Sequence, residues 1–299
     1  MMKNDFPVYL INLEHDLERK EDSIKQLHEL EITPIVIPAC NGHQKDFPFY
    51  QYQNLSRGKW WDKNVFKPGA FACYLSHAKC WKEIAMSAAP YTMILEDDMI
   101  INKEAFQKLD LHNKLNSFDI IFINQGVTQF LKFTSFNETV PNNSFISLNE
   151  TILDLFVHNE FNNLQPGSYG YIVSKKGANK LLQIMEYDKI CMGVDYAMIF
   201  NSLNNNDIER IKKLKEIPYY LQIYLDNISN DASSSNHKRI SLDSYICTLP
   251  ALVTHNYNPT SSIKHEIYTD FNIFNKNNDK VFSKLNFIIK KLFRKKLNK

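Results

Sequence analysis

The chain of 299 residues is 44% hydrophobic and 23% charged, with a formal net charge of +2, which is typical of one large or two smaller globular domains. No apolar run approaches the roughly 18 residues of a membrane-spanning helix, and no charged segment precedes an apolar one as in a signal peptide, so we expect a cytoplasmic protein. Five cysteines without a CxxC pair argue for a reducing compartment and against a zinc site.

The N-terminal part of the chain predicts a strand, a helix and a second strand. The β-rich run 6–14 is followed by residues 16–30, in which leucine and isoleucine recur at helical spacing, and then by the short β-branched run 34–40. A strand–helix–strand order indicates a βαβ unit in a parallel sheet.

Strands and helices continue to alternate further along the chain. The apolar patterns predict helices over 68–89 and 175–185, and strands over 91–95, 118–124 and 168–174. This alternation predicts an α/β sheet, in which ligands bind where the chain leaves the carboxyl ends of the strands.

The remaining segments have weaker patterns. Residues 125–165 show little periodicity and predict a long, partly ordered insertion that shapes the acceptor site. A further helix is predicted to begin at residue 194, and the runs 217–225 and 250–256 predict late strands.

Three consecutive acids, Glu96, Asp97 and Asp98, follow the apolar strand 91–95 directly. Like charges repel unless water or a cation compensates them. Alternate residues of an extended chain project to the same side, so Glu96 and Asp98 would form a pair of carboxylates suited to Mg²⁺ or Mn²⁺. The alternative is a solvated acidic turn or the N-cap of a following helix.

Five short motifs are spread along the chain. They are INL at 11–13 with Arg19 downstream, ACNG at 39–42, G-x-x-x-CYLSH at 69–77, LEDD at 95–98 and G-x-D at 193–195. In this combination the chain resembles glycosyltransferase family 25 over roughly residues 6–262. That family includes bacterial lipooligosaccharide galactosyl- and glucosyltransferases and is related to the collagen galactosyltransferases.

The resemblance implies a GT-A-type α/β fold, with a Rossmann-like nucleotide-binding sheet, in residues 1–275. A donor half of about 1–124 would be joined to an acceptor half of about 125–275. The acidic motif would be a variant of the Asp-x-Asp motif that holds a metal ion and a sugar nucleotide. The implied cofactor is Mn²⁺ or Mg²⁺, and the implied donor is a UDP-sugar.

Within that motif the resemblance makes Asp98 a metal ligand, places Glu96 near the ribose or the metal, and gives Asp97 a supporting role. His255, which follows a strand-like segment, is predicted to complete the metal site, and its alternative is an ordinary loop histidine. An inverting transfer needs one general base, and Asp195 is predicted to be that base or an acceptor-binding acid. Asp195 also suits a helix N-cap, and both roles can hold together.

Further donor-binding residues are predicted on three segments. They are Asn12, Arg19, Ser76, His77, Gly167 and Gly170. The two glycines indicate a close backbone approach in a chain with only eight glycines. An exposed helical arginine, a helix-interior hydroxyl and a core histidine are the alternatives for Arg19, Ser76 and His77.

Positive charge is concentrated in residues 276–299, which hold nine of the 35 Lys and Arg residues and one of the 33 Asp and Glu residues. Residues 1–275 therefore carry a formal charge of −6. Apolar residues recur at helical spacing at Val281, Leu285, Ile288 and Leu292. Basic residues occupy the other face of this predicted helix. This pattern predicts an amphipathic helix on the anionic inner face of the cytoplasmic membrane, and a basic helix packed on the body or disordered is the alternative.

Together these features predict an inverting, metal-dependent glycosyltransferase. It would move a hexose, galactose or else glucose, from a UDP-sugar to a lipid-linked lipooligosaccharide acceptor, and nucleic acid is not an expected partner. One alternative is another nucleotide-sugar enzyme, such as a nucleotidyltransferase. The other is a non-catalytic, membrane-associated sugar-binding protein. The sequence lacks a P-loop and an N-terminal Gly-rich phosphate loop, which disfavours P-loop kinases, pyrophosphorylases and Rossmann dehydrogenases.

Overall fold

The computed structural model describes residues 6–55, 68–111, 117–138, 144–158, 160, 166–214, 217, 219–230, 239–248 and 250–256. All of them fall within one compact unit, residues 1–256. No helix in this described part is long and apolar enough to cross a bilayer. The predicted amphipathic segment 276–299 lies outside the described residues.

A seven-stranded sheet forms the centre of the fold. The strands in chain order are β1 (Val8–Asn12), β2 (Ile35–Pro38), β3 (Tyr91–Glu96), β4 (Met99–Ile101), β5 (Ile120–Phe122), β6 (Phe145–Ser147), β7 (Gly170–Ser174), β8 (Ser244–Cys247) and β9 (Val253–His255). The spatial order in the large sheet is β2-β1-β3-β7-β5-β8-β6, and β4 and β9 form a separate two-stranded sheet.

Five of the seven strands run in one direction. β2 and β3 are parallel to β1, β8 is parallel to β5, and β7 lies between β3 and β5 and is antiparallel to both. β6 pairs antiparallel with β8. The predicted α/β sheet is confirmed, but β6 and β7 are reversed relative to the parallel sheet that the alternation of strands and helices indicated.

Helices cover both faces of the sheet. They are α1 (Leu17–His28), α2 (Pro68–Met86), α3 (Lys103–Gln107), α4 (Gln125–Thr128), α5 (Leu148–Val157), α6 (Lys175–Tyr187), α7 (Val194–Phe200), α8 (Asn205–Ile211) and α9 (Tyr219–Asn230). Alternate strand residues face opposite layers. Tyr9 and Ile11 share a buried cluster with residues of α2, α6 and α7, whereas Leu10 lies in a second cluster with Leu27 of α1.

The prediction of a strand over 217–225 is wrong, because α9 begins at Tyr219. Aromatic and β-branched residues favour strands, and that composition suggested a strand here. The buried side chains are Leu221, Tyr224 and Leu225. Their spacing of three and four residues is the core-facing stripe of a helix, so packing decides the outcome.

Residues 125–165 are more regular than their sequence pattern indicates. β6 pairs with β8 and extends the sheet, and α5 follows β6 directly. Leu148, Ile152 and Leu155 of α5 are fully buried at the spacing of four and three residues that one face of a helix provides. This segment therefore contributes to the core of the fold.

The reversal of β7 brings several chain segments to one edge of the sheet. β1, β3 and β5 end at this edge, and β7 begins there because it runs in the opposite direction. The segment that precedes β7 therefore lies beside the acids at the end of β3. The sheet contains strands from both sides of residue 124, and the division into a donor half and an acceptor half stays a prediction.

Candidate active site

The three acids occupy the end of β3 and the turn into β4. The backbone N–H of Asp97 donates to the carbonyl of Ile11 at 3.1 Å, and the N–H of Asn256 donates to the carbonyl of Asp98 at 2.7 Å. The turn is thus fixed between the end of β1 and the end of β9. Each of its carboxylates points to a different set of partners.

Asp97 binds the two residues that were predicted from the first βα unit. Asn12 Nδ2 donates to Asp97 Oδ2 at 2.6 Å, and Arg19 forms an ion pair with Oδ1. The side chain of Asp97 is only 7% exposed. Burial raises the pKa of Asp97 to about 6, although Arg19 and Asn12 act to lower it. Asp97 therefore holds Asn12 and Arg19 at this edge.

Arg19 connects all the acids around the turn except Glu96. Its guanidinium lies 3.3 Å from Asp98 Oδ2 and 3.4 Å from Asp16 Oδ2, in addition to Asp97. The side chain remains 30% exposed, so it can also meet an anionic ligand. A guanidinium suits the oxygens of a diphosphate.

Asp98 and His255 form a close pair. His255 Nε2 lies 2.9 Å from Asp98 Oδ2, because the pairing of β4 with β9 sets Met99 opposite His255. Burial acts to raise the pKa of Asp98, but His255 and Arg19 outweigh it and hold this pKa below its ordinary value. The carboxylate is therefore ionised.

This pair fits a hard divalent ion in two respects. Asp98 Oδ1 is buried and has no hydrogen-bond partner among the described residues, so its lone pairs are available. The 2.9 Å between Asp98 Oδ2 and His255 Nε2 is a hydrogen-bond distance here, and a bound ion would take the place of that hydrogen. Adjacent ligands of an octahedral ion with bonds of about 2.1 Å lie about 3.0 Å apart, so little movement would be needed. Asp98 and His255 are thus brought together as predicted.

Glu96 is not brought into one ligand set with that pair. Within the described ranges, the group of three His, Cys, Asp or Glu ligand atoms within 4.8 Å of one another consists of Cys73, His77 and Glu96. Ser168 Oγ donates to Glu96 Oε1 at 2.6 Å, and His77 Nε2 lies 3.2 Å from the same oxygen. The part of Glu96 in a metal site stays a prediction.

Ser76 and His77 of α2 are almost completely buried. Ser76 Oγ accepts from the backbone N–H of Cys40 at 2.8 Å and donates to the carbonyl of Ala72 at 2.8 Å, so it joins α2 to the segment after β2. Among the described residues, His77 reaches the site through its hydrogen bond to Glu96. Direct contact of either side chain with a donor stays a prediction.

The glycine segment before β7 is held by Asn124, which sequence analysis did not single out. Asn124 Nδ2 donates to the carbonyls of Gly167 and Gly170 at 2.9 and 3.0 Å. A Cβ atom at Gly170 would lie 3.1 Å from Val253, and one at Gly167 would lie 2.3 Å from the Tyr169 ring. The backbone approaches other groups of the chain closely at both glycines, and contact of either glycine with a donor stays a prediction.

Asp195 lies in the first turn of α7, where Gly193 is the N-cap. Its Oδ1 accepts from the N–H of Tyr196 at 2.9 Å. Burial raises the pKa of Asp195 to about 7, and the charge of Glu96 contributes. Burial, Glu96 and Asp195 in turn raise the pKa of the Cys73 thiol. Cys73, Glu96 and Asp195 therefore share one electrostatic neighbourhood.

Most signals for these residues were visible in the sequence. An Asn closes β1, and another follows β5, so Asn124 matches the pattern that identified Asn12. Cys73 belongs to the same motif as His77. Tyr171, which hydrogen-bonds His77, and Trp81, which donates to Tyr171, look like ordinary core residues in the sequence and gave no signal.

Comparisons with known proteins show which family the sequence matches. A family model described as glycosyltransferase family 25 (LPS biosynthesis protein) matches residues 5–198, which include the three acids and Asp195 but not His255. Procollagen galactosyltransferase 1-B of Xenopus laevis is 28% identical over 186 residues, which cover 58% of this chain and 28% of that protein. Procollagen galactosyltransferase 2 of Mus musculus is 23% identical over 200 residues, which cover 61% of this chain and 28% of that protein.

A glycosyltransferase 25 family member of Aedes aegypti is 24% identical over 217 residues, which cover 66% of this chain and 31% of that protein. The chain thus spans less than a third of the length of these curated relatives. The family match and the seven-stranded α/β sheet together agree with a GT-A-type fold.

Proposed function

Because this chain belongs to glycosyltransferase family 25, we propose that it transfers a hexose from a UDP-sugar to a sugar hydroxyl, with inversion at the anomeric carbon. The observation that carries the proposal is the turn after β3. There the ionised Asp98 keeps a buried oxygen without a hydrogen-bond partner in the described structure, and it lies 2.9 Å from His255.

The leaving diphosphate requires positive charge at this edge. Asp98 and His255 would hold Mn²⁺ or Mg²⁺, which supplies Lewis-acid stabilisation of the diphosphate oxygens when bound. Arg19 lies 3.3 Å from Asp98 and is partly exposed, so its guanidinium adds donors for the same phosphate oxygens. Asp97 keeps Arg19 in that position through its ion pair.

The acceptor hydroxyl must lose a proton during the transfer. Asp195 is the candidate base because its pKa of about 7 matches the optimum of a general base near neutral pH. One base and no carboxylate nucleophile suffice for inversion. Glu96 accepts hydrogen bonds and is suited to hold donor hydroxyls beside that base.

The relatives' names support galactose as the first sugar to test, since two of those compared are galactosyltransferases. The family description as an LPS biosynthesis protein supports a lipid-linked lipooligosaccharide acceptor. We propose that residues 276–299 bring the enzyme to the inner face of the cytoplasmic membrane, where such an acceptor would be found. Glucose is the second donor sugar to test.

The proposal is tested by UDP release from a panel of UDP-sugars in the presence of Mn²⁺. We expect one UDP-sugar to be turned over, and both EDTA and Asp98→Ala to lower the rate by about a hundredfold or more, because several kcal/mol of charge stabilisation is lost. Glu104→Gln is the matched control, since Glu104 is an exposed acid that pairs with Lys108, and it should retain full activity.

Two outcomes would overturn the assignment. UDP release that is unaffected by EDTA, or full activity of Asp98→Ala, would show that the acids form only an acidic turn. No turnover of any UDP-sugar, with binding of sugar retained, would favour the non-catalytic sugar-binding protein. Release of pyrophosphate from a nucleoside triphosphate would favour a nucleotidyltransferase.

A further inference from the structure

His77 lies in the middle of a buried series of hydrogen bonds, here called the relay, that begins at Trp81, passes through Tyr171 and ends at Glu96. Trp81 Nε1 donates to the hydroxyl oxygen of Tyr171 at 2.9 Å, and that oxygen lies 2.9 Å from His77 Nδ1. His77 Nε2 lies 3.2 Å from Glu96 Oε1. Trp81, Tyr171 and His77 are completely buried, so no bulk water competes for these bonds.

The donors and acceptors of the relay fix the position of each hydrogen. The indole N–H of Trp81 can only donate, so the oxygen of Tyr171 accepts there. Burial raises the pKa of Tyr171 well above its ordinary value, so the hydroxyl keeps its hydrogen. His77 Nδ1 is the remaining described partner of this hydroxyl, and it must therefore accept.

A neutral imidazole that accepts at Nδ1 carries its hydrogen on Nε2. That hydrogen faces Glu96 Oε1. Ser168 Oγ donates to the same oxygen at 2.6 Å. Both hydrogen bonds that Glu96 accepts from described side chains go to Oε1, so Oε2 remains to accept from a ligand.

We propose that Trp81 and Tyr171 are positioning residues for the donor site, because they hold His77 in its Nε2–H tautomer and thereby fix the carboxylate of Glu96. The inference rests on the proposed function only in taking the UDP-sugar as the ligand of Glu96. These buried residues act on the substrate entirely through the Glu96 carboxylate, since Trp81, Tyr171 and His77 are not exposed.

The same tautomer also disfavours a soft metal ion at this place. The ligand atoms of Cys73, His77 and Glu96 lie within 4.8 Å of one another, and sulfur, nitrogen and oxygen together form a set that suits Zn²⁺. A metal would need the lone pair of His77 Nε2, but the relay puts a hydrogen there. Nδ1–H donation to Tyr171 would leave the buried tyrosine hydroxyl hydrogen without a partner in the described structure, which is unfavourable.

The tautomer can be read directly from the full-length protein labelled with ¹⁵N-histidine. The His77 signals are assigned by their loss in His77→Gln. We expect two widely separated ¹⁵N resonances, with the proton-bound nitrogen coupled to the ring hydrogens in the pattern of Nε2–H. An Nδ1–H pattern, or two similar resonances as in an imidazolium, would overturn the inference.

Tyr171→Phe removes one oxygen atom and tests whether the tautomer matters for binding. We expect the two His77 resonances to converge, and the KM for the UDP-sugar to rise about three- to tenfold with kcat changed less than about twofold, as for the loss of one ground-state hydrogen bond. Tyr74→Phe is the control, since Tyr74 is a buried tyrosine that contacts the ring of Trp81 edge-on and does not bind His77.

The two readouts separate this inference from the proposed function. If the wild-type protein releases UDP from no UDP-sugar, the proposed function fails while the resonances still report on the relay. If Tyr171→Phe leaves both the resonances and KM unchanged, the relay has no positioning role. Equal effects of Tyr171→Phe and Tyr74→Phe would indicate general loss of packing and would also overturn it.

Discussion

Asp195 is the single residue whose protonation state matters most for the proposed transfer. A carboxylate with an ordinary pKa is a weak base at neutral pH, whereas burial and the charge of Glu96 raise the pKa of Asp195 to about 7. This value makes the carboxylate a stronger base and leaves about half of it ionised near neutral pH. The environment of α7 therefore adapts an aspartate to proton abstraction.

The activity should depend on pH in the direction that this pKa sets. Only the deprotonated form of Asp195 can accept a proton, so we expect kcat/KM to rise with pH and to level off above about 7. Asp195→Asn should lower kcat by about 10²- to 10⁴-fold, the contribution of a general base. A pH–rate profile of the wild-type protein and single-turnover assays of the variant measure both.

A stability measurement shows whether Asp195→Asn still folds. The folded-state pKa of Asp195 is raised above the unfolded value of about 3.9, so the folded state binds the extra proton between these values and loses stability as the pH rises through about 7. Asn carries no charge, and the variant should therefore have an equal or higher Tm than the wild type at pH 8. A flat pH–rate profile, or an active variant with this Tm, would remove Asp195 from the mechanism.

Individual site residues were predictable from the sequence where a residue type suited to the chemistry follows an apolar, strand-like run. Asp98 and His255 each follow an apolar run, and the structure brings them together. The separation of Glu96 from Asp98 was not predictable, because their partners are contributed by elements far apart in the chain. The relay through Tyr171 and Trp81 joins residues 90 positions apart and leaves no local pattern.

Among the secondary-structure elements, β7 determines which residues meet at the site. A strand parallel to β3 would begin at the opposite edge of the sheet, and Ser168 could then not reach Glu96. The apolar run of β7 predicted a strand, but local sequence does not encode its direction in a sheet. The type of element was also missed at α9, where the β-rich composition suggested a strand. There the spacing of the buried residues shows the helix.

Asn124 links the start of β7 to the start of α4, and its substitution tests whether this link holds the glycine segment in place. Its side chain is fully buried, donates to two glycine carbonyls and accepts from the N–H of Val127. Asn124→Ala removes the side-chain partner of the Gly167 carbonyl and of the Val127 N–H, and leaves the Gly170 carbonyl with the backbone N–H of Ile123 at 3.4 Å. We therefore expect a loss of about 2–4 kcal/mol in the free energy of unfolding and a raised KM for the UDP-sugar. Urea denaturation and steady-state kinetics measure the two effects.

Asn102 provides a matched control for this variant. Asn124 is the N-cap of α4, and Asn102 is the N-cap of α3. The Asn102 side chain accepts from the N–H of Ala105 at 3.1 Å, and no hydrogen bond among the described residues joins it to the glycine segment. Asn102→Ala should lower the free energy of unfolding by about 1 kcal/mol and leave KM unchanged. Equal losses for the two variants would contradict the role of Asn124 in holding Gly167 and Gly170.

In the chain as a whole, charge divides the body from the C-terminal residues. Residues 1–275 carry a formal charge of −6, and residues 276–299 carry nine basic residues and one acid. An acidic body is repelled by an anionic membrane surface, whereas each basic residue near such a surface contributes about 1 kcal/mol of attraction. The proposed site and the proposed membrane contact therefore lie in separate parts of the sequence.

Deletion of residues 279–299 should separate membrane binding from catalysis. We expect the truncated protein to lose sedimentation with vesicles that contain anionic lipid, because the basic apolar stripe is removed. UDP release with a soluble acceptor should be unchanged within about twofold, since the proposed reacting groups lie between Asn12 and His255. Vesicles of neutral lipid are the control for non-specific adsorption.

A charge variant tests the electrostatic part of this argument. The variant keeps the apolar residues but loses five positive charges, because Gln replaces Lys290, Lys291, Arg294, Lys295 and Lys296. Binding to anionic vesicles should then fall nearly as far as in the deletion, and salt should weaken binding of the wild type in the same way. Unchanged vesicle binding after the deletion would refute the membrane contact, and loss of soluble activity would instead assign these residues to the catalytic unit.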